Sequence, residues 1–527
     1  MSEIAYLQRQ IMRGRLSRRA FLGRATALGL SAASASLLFA QAARAATPQK
    51  GGHLVYGLVG GASTDSLDPA LDSSQVPYHF GRCWGDVLIE TSPTDGTAVP
   101  WLAESFDSTA DAQTWSIKLR KGVTFHNGKD MTSADVVATL LRHSDEKSKS
   151  GALGIMRDIA AIEADGQYAV TLKLKAPNAD LPYLISDYHL IIQPEGGDPN
   201  AGIGTGAYMV DSVEHGVRYT GKKNPNYWNP DLGHVDSIEI LVINDQTARM
   251  SALQSGQVHM VNRVDPKAAK LLAKAPGVEI VPTAGKGHYV FIMQCDKPPF
   301  DNLDLRLALK FAMNREEMLK QVLQGFGTVG NDFPINSAYA LFPDDIPQRP
   351  YDPDKAAFHY KKSGHSGSVL LRTSDVAFPG AVDAATLFQQ SAAKAGITVE
   401  VKREPGDGYW SNVWNVQPFC TSYWGGRPTQ DTMYATAYLS TADWNETKWF
   451  RPDFDKLLMQ ARAELDDTKR KATYREMALM VHDEGGIIVP MFNDYIDGKS
   501  DKVQGYVQDK AGEFCNGYAA LRCWLSA

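Results

Sequence analysis

The stretch WSIKLRKGVTFHNGKDMTSADVVATLLRH, residues 115–143, changes its hydrophobic period half-way along. Trp115, Ile117 and Leu119 alternate with Ser116, Lys118 and Arg120, the period of two expected of a strand with one buried face. The alternation then stops, and Thr132-Ser133-Ala134-Asp135 opens a helix running to about His143, with Ser133 or Thr132 as its cap. The same succession of strand and helix recurs outward in both directions. Gly51–Leu58 and Tyr168–Lys175 read as strands, the second bounded by Asp165-Gly166 and Ala176-Pro177. Asp301–Gln324 reads as one helical stretch ending at Gly325, and Ala381–Ala395 as another, closed by Gly396 and followed by a strand at Ile397–Val401. Asp453–Asp466 and Lys469–His482 read as two amphipathic helices. Strands and helices mixed in this way predict an α/β fold.

The composition of the 527 residues is 43% hydrophobic, 22% charged and 9% aromatic. These values exclude a disordered, collagen-like or multi-span membrane chain. The length predicts about three structural units. A net charge of −6 gives no basic footprint for nucleic acid.

The charge is unevenly placed. The first 45 residues carry seven Arg, no Lys and one acid, Glu3. Among them Ser17-Arg18-Arg19-Ala20-Phe21-Leu22 is a twin-arginine pattern, followed by a mild Ala/Ser/Leu run from Ala25 to Ala40 and the small-x-small site Ala43-Arg44-Ala45. The run is too short and polar for a membrane span, so the segment predicts a signal peptide cleaved near Ala45 and a free periplasmic product. The alternative is an amphipathic N-terminal helix, which Ser31, Ser34 and Ser36 disfavour. Cleavage leaves 47 basic and 59 acidic residues, a charge of −12, which suits a diffusing protein that avoids nucleic acid and anionic lipid.

Enzyme and metal motifs fail on their context. Gly202, Gly204 and Gly206 imitate a dinucleotide loop, but no strand and acid follow as that fingerprint needs. No Walker A, HExxH or GxSxG occurs, and the twelve His show no HxH spacing. No cofactor is expected. Five Cys (Cys83, Cys295, Cys420, Cys515, Cys523) form no CxxC. Cys515 and Cys523 are near enough in sequence to bridge in an oxidising compartment, and ordinary buried thiols are the alternative for the others.

A series of motifs then appears in a fixed order over the whole mature chain. They are Leu67-Asp68-Pro69-Ala70, Pro100-Trp101-Leu102-Ala103-Glu104-Ser105, Leu119–Val123 leading to Phe125-His126-Asn127-Gly128, and Thr132–Val137. Gly204-Thr205-Gly206-Ala207-Tyr208, Asn224–Trp228, Pro299–Leu309, Tyr351–Ala356 and Val489-Pro490-Met491-Phe492 follow. With them the chain resembles the large extracytoplasmic solute-binding proteins of ABC importers, family 5, which include dipeptide, oligopeptide and nickel binders. The resemblance implies a two-lobed periplasmic binding protein fold (class II, the large three-domain type) that closes on its ligand by hinge bending. One lobe would comprise about 46–286 and 486–527, with a domain inserted near 83–200; the other would span about 287–485. It also implies a non-catalytic monomer with a peptide or other small ligand, permease subunits as partners, and here the twin-arginine translocase during export.

In the dipeptide branch of that family a pocket aspartate follows an aromatic-glycine stretch and pairs with the ligand's amine. The matching segment is Ser422-Tyr423-Trp424-Gly425-Gly426-Arg427-Pro428-Thr429-Gln430-Asp431, in which Gly426 takes the aspartate's place and Arg427 is adjacent. The branch's second-lobe arginine falls near Asp375. Both charges therefore read as altered, which favours an anionic solute at Arg427, whose planar fork suits a carboxylate or phosphate. A rim arginine paired with a neighbouring acid is the alternative. Tyr409, Trp424, Trp444 and Asn445 join the candidates from a Trp-rich region in which half the indoles would be core packing. Thr64 and Asp65, after the first strand, are candidates that read equally well as turn and cap residues. The function expected is capture of a peptide-like solute for import. The alternatives are an opine-like or other anionic solute, a metal chelate, or a periplasmic sensor module.

Overall fold

The computed structural model describes residues 18–28, 35, 48–72, 74–145, 147, 149–374, 377–405, 409–442 and 444–526. Its backbone is organised by two long antiparallel strands, Val278–Met293 and Ile487–Ser500. They pair from Val278 opposite Ser500 to Ile292 opposite Ile487, with register shifts between Ala284 and His288 and between Tyr289 and Phe291. Such irregularities bend and twist a ribbon locally. Both strands belong to an 11-stranded mixed sheet. On one flank lie Phe419–Trp424, Val369–Thr373 and Val399–Arg403; on the other lie Met260–Val261, His53–Leu58, Ser237–Val242, Arg218–Lys223 and Tyr208–Glu214. The long pair therefore runs from one half of the molecule into the other.

Separate cores sit on either side of it. One gathers residues from Val290 to Phe492 around Phe291, Leu309 and Phe388. A second joins Leu54, Trp84 and Tyr208 to the C-terminal Phe514 and Leu521, and a smaller one joins Val55 and Leu253 to Ile496. A further core, from Leu88 to Ile192, fills the space between a helix and a four-stranded antiparallel sheet of Ala103–Ser108, Thr114–Leu119, Ala169–Leu174 and Ile159–Ala164.

The opening stretch folds as its pattern dictates. Trp115, Ile117 and Leu119 are buried and Ser116 and Lys118 exposed. Thr132 caps the helix Ser133–Ser144, and the Asp135 carboxylate accepts the Thr132 amide at 2.9 Å to complete a capping box. The Asp301–Gln324 stretch is not one helix but two, Leu303–Ala312 and Arg315–Gln321. The break comes at Asn314, whose side chain accepts the Glu317 amide at 3.2 Å and so starts a new helix. Arg18–Ala27 is helical; the other residues of the N-terminal signal-like segment lie outside those described, apart from Leu28 and Ala35. No described helix is long and apolar enough to cross a membrane.

Candidate ligand-binding site

The strand Phe419–Trp424 runs antiparallel to Val278–Met293, with Trp424 opposite His288 and Tyr423 opposite Tyr289. It delivers the loop 425–429 next to the irregular part of the long pair. Thr429 then caps the helix Gln430–Ala437, accepting the Thr432 amide at 3.2 Å.

Gly426 adopts φ +83°, in the left-handed region. Lys286 fills the space beside it and donates from Nζ to the Pro428 carbonyl at 2.8 Å. The Lys286 ammonium also stands 4.9 Å from the Tyr339 ring centroid. Burial pushes its pKa down to about 8, with Asp509 opposing the shift. His288, which is buried, is pushed down to about 4 mainly by burial and is therefore neutral at physiological pH.

Arg427 is half-buried. Its amide donates to the Tyr339 hydroxyl at 3.0 Å, and Nη1 donates to the Gly426 carbonyl at 2.8 Å. Its guanidinium lies over Trp424, 5.2 Å from the ring centroid, within cation–π range. Burial lowers its pKa from the ordinary arginine value. Among the described residues no carboxylate forms an ion pair with it.

Trp424 is buried and donates from Nε1 to Glu446 Oε1 at 2.8 Å, while Trp414 Nε1 donates to Oε2 at 2.6 Å. Burial pushes the Glu446 carboxyl up to about 7, against the pull of these two indole N–H groups. Trp444 completes the group, edge-on to Trp414 at 5.8 Å and tilted to Trp424 at 6.0 Å, with 47% of its surface exposed. The arrangement is an aromatic wall carrying a guanidinium that no described carboxylate pairs with, able to hold a planar anion and apolar groups beside it.

The structure thus brings together Trp424, Gly426, Arg427 and Trp444. Asn445 is fully buried: its amide donates to the carbonyls of Tyr438, Leu439 and Trp449, and its Oδ1 accepts from Thr447 and the Trp449 amide. It shapes the loop that presents Trp444. Tyr409 opens a short helix and is buried, its hydroxyl donating to the Thr421 carbonyl at 2.8 Å. Thr64 is exposed on a turn, and the Asp65 carboxylate accepts the Ala62 amide, the Tyr219 hydroxyl and the Ser74 hydroxyl, which is loop-building. Asp375 lies outside the described residues. Cys515 and Cys523 are both buried free thiols, and burial first, then the adjacent Cys523, pushes the Cys515 thiol well up.

Glu446, Tyr339 and Lys286 are the participants the sequence reading missed. Glu446 carried one signal, an acid set between Trp444 and Trp449; Tyr339 and Lys286 carried none, since their role comes from distant chain.

The family model for bacterial extracellular solute-binding proteins, family 5 (middle part), matches residues 97–446. The dipeptide-binding protein of Escherichia coli strain K12 is 24% identical over 481 residues, covering 84% of this chain and 88% of that protein. The glutathione-binding protein GsiB of E. coli O6:K15:H31 is 26% identical over 429 residues, covering 77% and 82%. Among solved structures, HbpA2 from Haemophilus parasuis superposes with a TM-score of 0.80 at 19% identity, over 90% of this chain and all of that one. The strand pair joining two halves and the extra sheet with its own core are thus a fold shared with these proteins. The chain belongs to the bacterial extracellular solute-binding proteins of family 5.

Proposed function

We propose that the protein is the periplasmic substrate-binding component of an ABC importer, and that it captures a peptide or peptide-like solute by an acidic end held at Arg427. The observation carrying this reading is the half-buried guanidinium on the face of Trp424, with no acid partner among the described residues. Burying a charge is costly without a counter-charge, and a bound carboxylate would supply one with two parallel hydrogen bonds. The relatives include binders of dipeptides and glutathione, and one similar structure, DppA from Helicobacter pylori, holds the peptide STSA.

In this reading residues 46–286 and 486–527 form one lobe, 287–485 the other, and about 83–200 the inserted domain. The long strand pair is the hinge, and the closed monomer presents both lobes to the permease. The N-terminal segment directs export by the twin-arginine route and is removed near Ala45. A second reading, an anionic non-peptide solute, is favoured by one observation: Gly426 leaves no acid there to meet an α-amine. A similar structure, AgaA, holds agropinic acid. Calorimetric titration with dialanine and glutathione tests the proposal. Arg427→Ala should weaken binding at least about tenfold, or about 1.4 kcal/mol. An unchanged affinity would remove Arg427 from the site.

A further inference from the structure

Glu446 is 1% exposed, and both its oxygens are taken by indoles rather than by a cation-bearing side chain at ion-pair distance. An indole has a single N–H, fixed in the ring plane, so a hydrogen bond from it sets the ring's orientation as well as its position. One carboxyl therefore fixes two ring planes that lie ten residues apart in sequence. Trp444 packs against both rings from the exposed side. On the Trp424 ring rests the Arg427 guanidinium, whose one side-chain hydrogen bond among the described residues is to the Gly426 carbonyl.

The arrangement is a relay of contacts from buried carboxyl to indole to guanidinium. Rotating Trp424 would take away the surface beneath Arg427 and leave the arginine one hydrogen bond to define its direction. We propose that Glu446 is the positioning residue of the anion subsite: it locks Trp424, and Trp424 aims the Arg427 guanidinium at the acidic end of the solute. The site thereby selects solutes with a free carboxylate over the same solutes carrying a neutral amide. This rests on the reading of Arg427 given above.

The test has a ligand-free part and a binding part. Glu446→Gln keeps the size of the side chain but offers an acceptor to only one indole. Trp424→Phe keeps a ring face for Arg427 but cuts its link to position 446, and serves if the first variant folds poorly. In nitrogen-edited NMR spectra of the mature protein, the Arg427 side-chain resonance, assigned by its loss in Arg427→Lys, should move in both variants as the ring beneath it turns. In titrations, either variant should bind dialanine about tenfold more weakly and dialanine amide nearly as wild type does, a loss of the size expected for one hydrogen bond to a charged group. The loss should vanish in the Arg427→Ala background, because residues acting through one another are not additive.

An unmoved Arg427 resonance, equal losses for acid and amide, or a full loss in the Arg427→Ala background would each overturn the proposal and leave Glu446 a core residue. If Arg427→Ala itself binds dialanine like wild type, the functional reading of Arg427 fails. The ligand-free spectra would still decide whether Glu446 orients Trp424 and Arg427.

Discussion

A Cβ placed on residue 426 would stand 2.5 Å from the Lys286 Cβ and 3.1 Å from its carbonyl carbon. Neither atom is the end of a flexible side chain, so the backbone of the long strand would have to give way. With φ at +83° the position is also unfavourable for any L side chain. An aspartate side chain at 426 is therefore disfavoured by packing: Lys286 occupies the space that Gly426 leaves, and the Arg427 charge stands next door. Gly426→Ala should lower unfolding free energy by about 1–3 kcal/mol through the backbone strain and overpacking together. Urea denaturation of the mature protein measures it, and a loss under about 0.5 kcal/mol would mean that Lys286 and the loop move apart freely.

Elements were legible where burial leaves a period. The strand at 115–119 and the helix after Thr132 follow from alternation and a cap, and the two C-terminal helices appear at Pro452–Ala463 and Asp467–Glu484, close to their expected bounds. The split before Asn314 leaves no mark in the pattern, because the apolar spacing of Leu305, Leu309, Ala312 and Met313 continues up to the C-cap Met313, and Asn314 beside it caps the next helix. The cations at the end of Asp467–Glu484 were equally hidden. Lys310 donates to the carbonyls of Val481 and His482, Arg306 to that of Glu484, and Arg349 to that of His482. Lysine and arginine read as surface residues in sequence; here they are buried because the last turn of the helix offers them carbonyls and Asp332 pairs with Arg349. At the site the same limit applies. Trp424 and Trp444 were nominated by the density of indoles and Arg427 by the resemblance to the dipeptide branch, whereas Glu446 reaches Trp424 and Trp414 across 22 and 32 residues, a pairing that leaves no period to read.

Across the whole molecule, the domain-sized unit around Leu88–Ile192 touches the Asp467–Glu484 helix through a buried ion pair, Asp180 with Arg470. The Ala179 amide adds a hydrogen bond to the Arg462 carbonyl at 2.8 Å, and Arg462 in turn grips Asp431 at 3.0 Å. Residues about 290 apart in sequence are joined here, and in the lobe assignment proposed above hinge bending would separate them. Removing one member of a buried pair leaves the other charge stranded, at a cost of about 3 kcal/mol or more, unless opening lets water reach it. Asp180→Asn should therefore shift the ligand-free protein toward an open form by up to roughly a hundredfold in population. Small-angle scattering would record a larger radius of gyration. An unchanged radius with a lower melting temperature would make the pair a static staple instead.

Capture of an acidic solute at Arg427 is tested by native mass spectrometry of the mature wild-type protein and of Arg427→Ala, each followed by denaturation and identification of what is released. A pocket closed over its solute retains it when dissociation is slow. One small peptide or peptide-like acid with a free carboxylate should be bound per wild-type protein, and it should be lost from Arg427→Ala. Release of the same molecule in equal amount from both proteins, or of an uncharged solute, would contradict that capture.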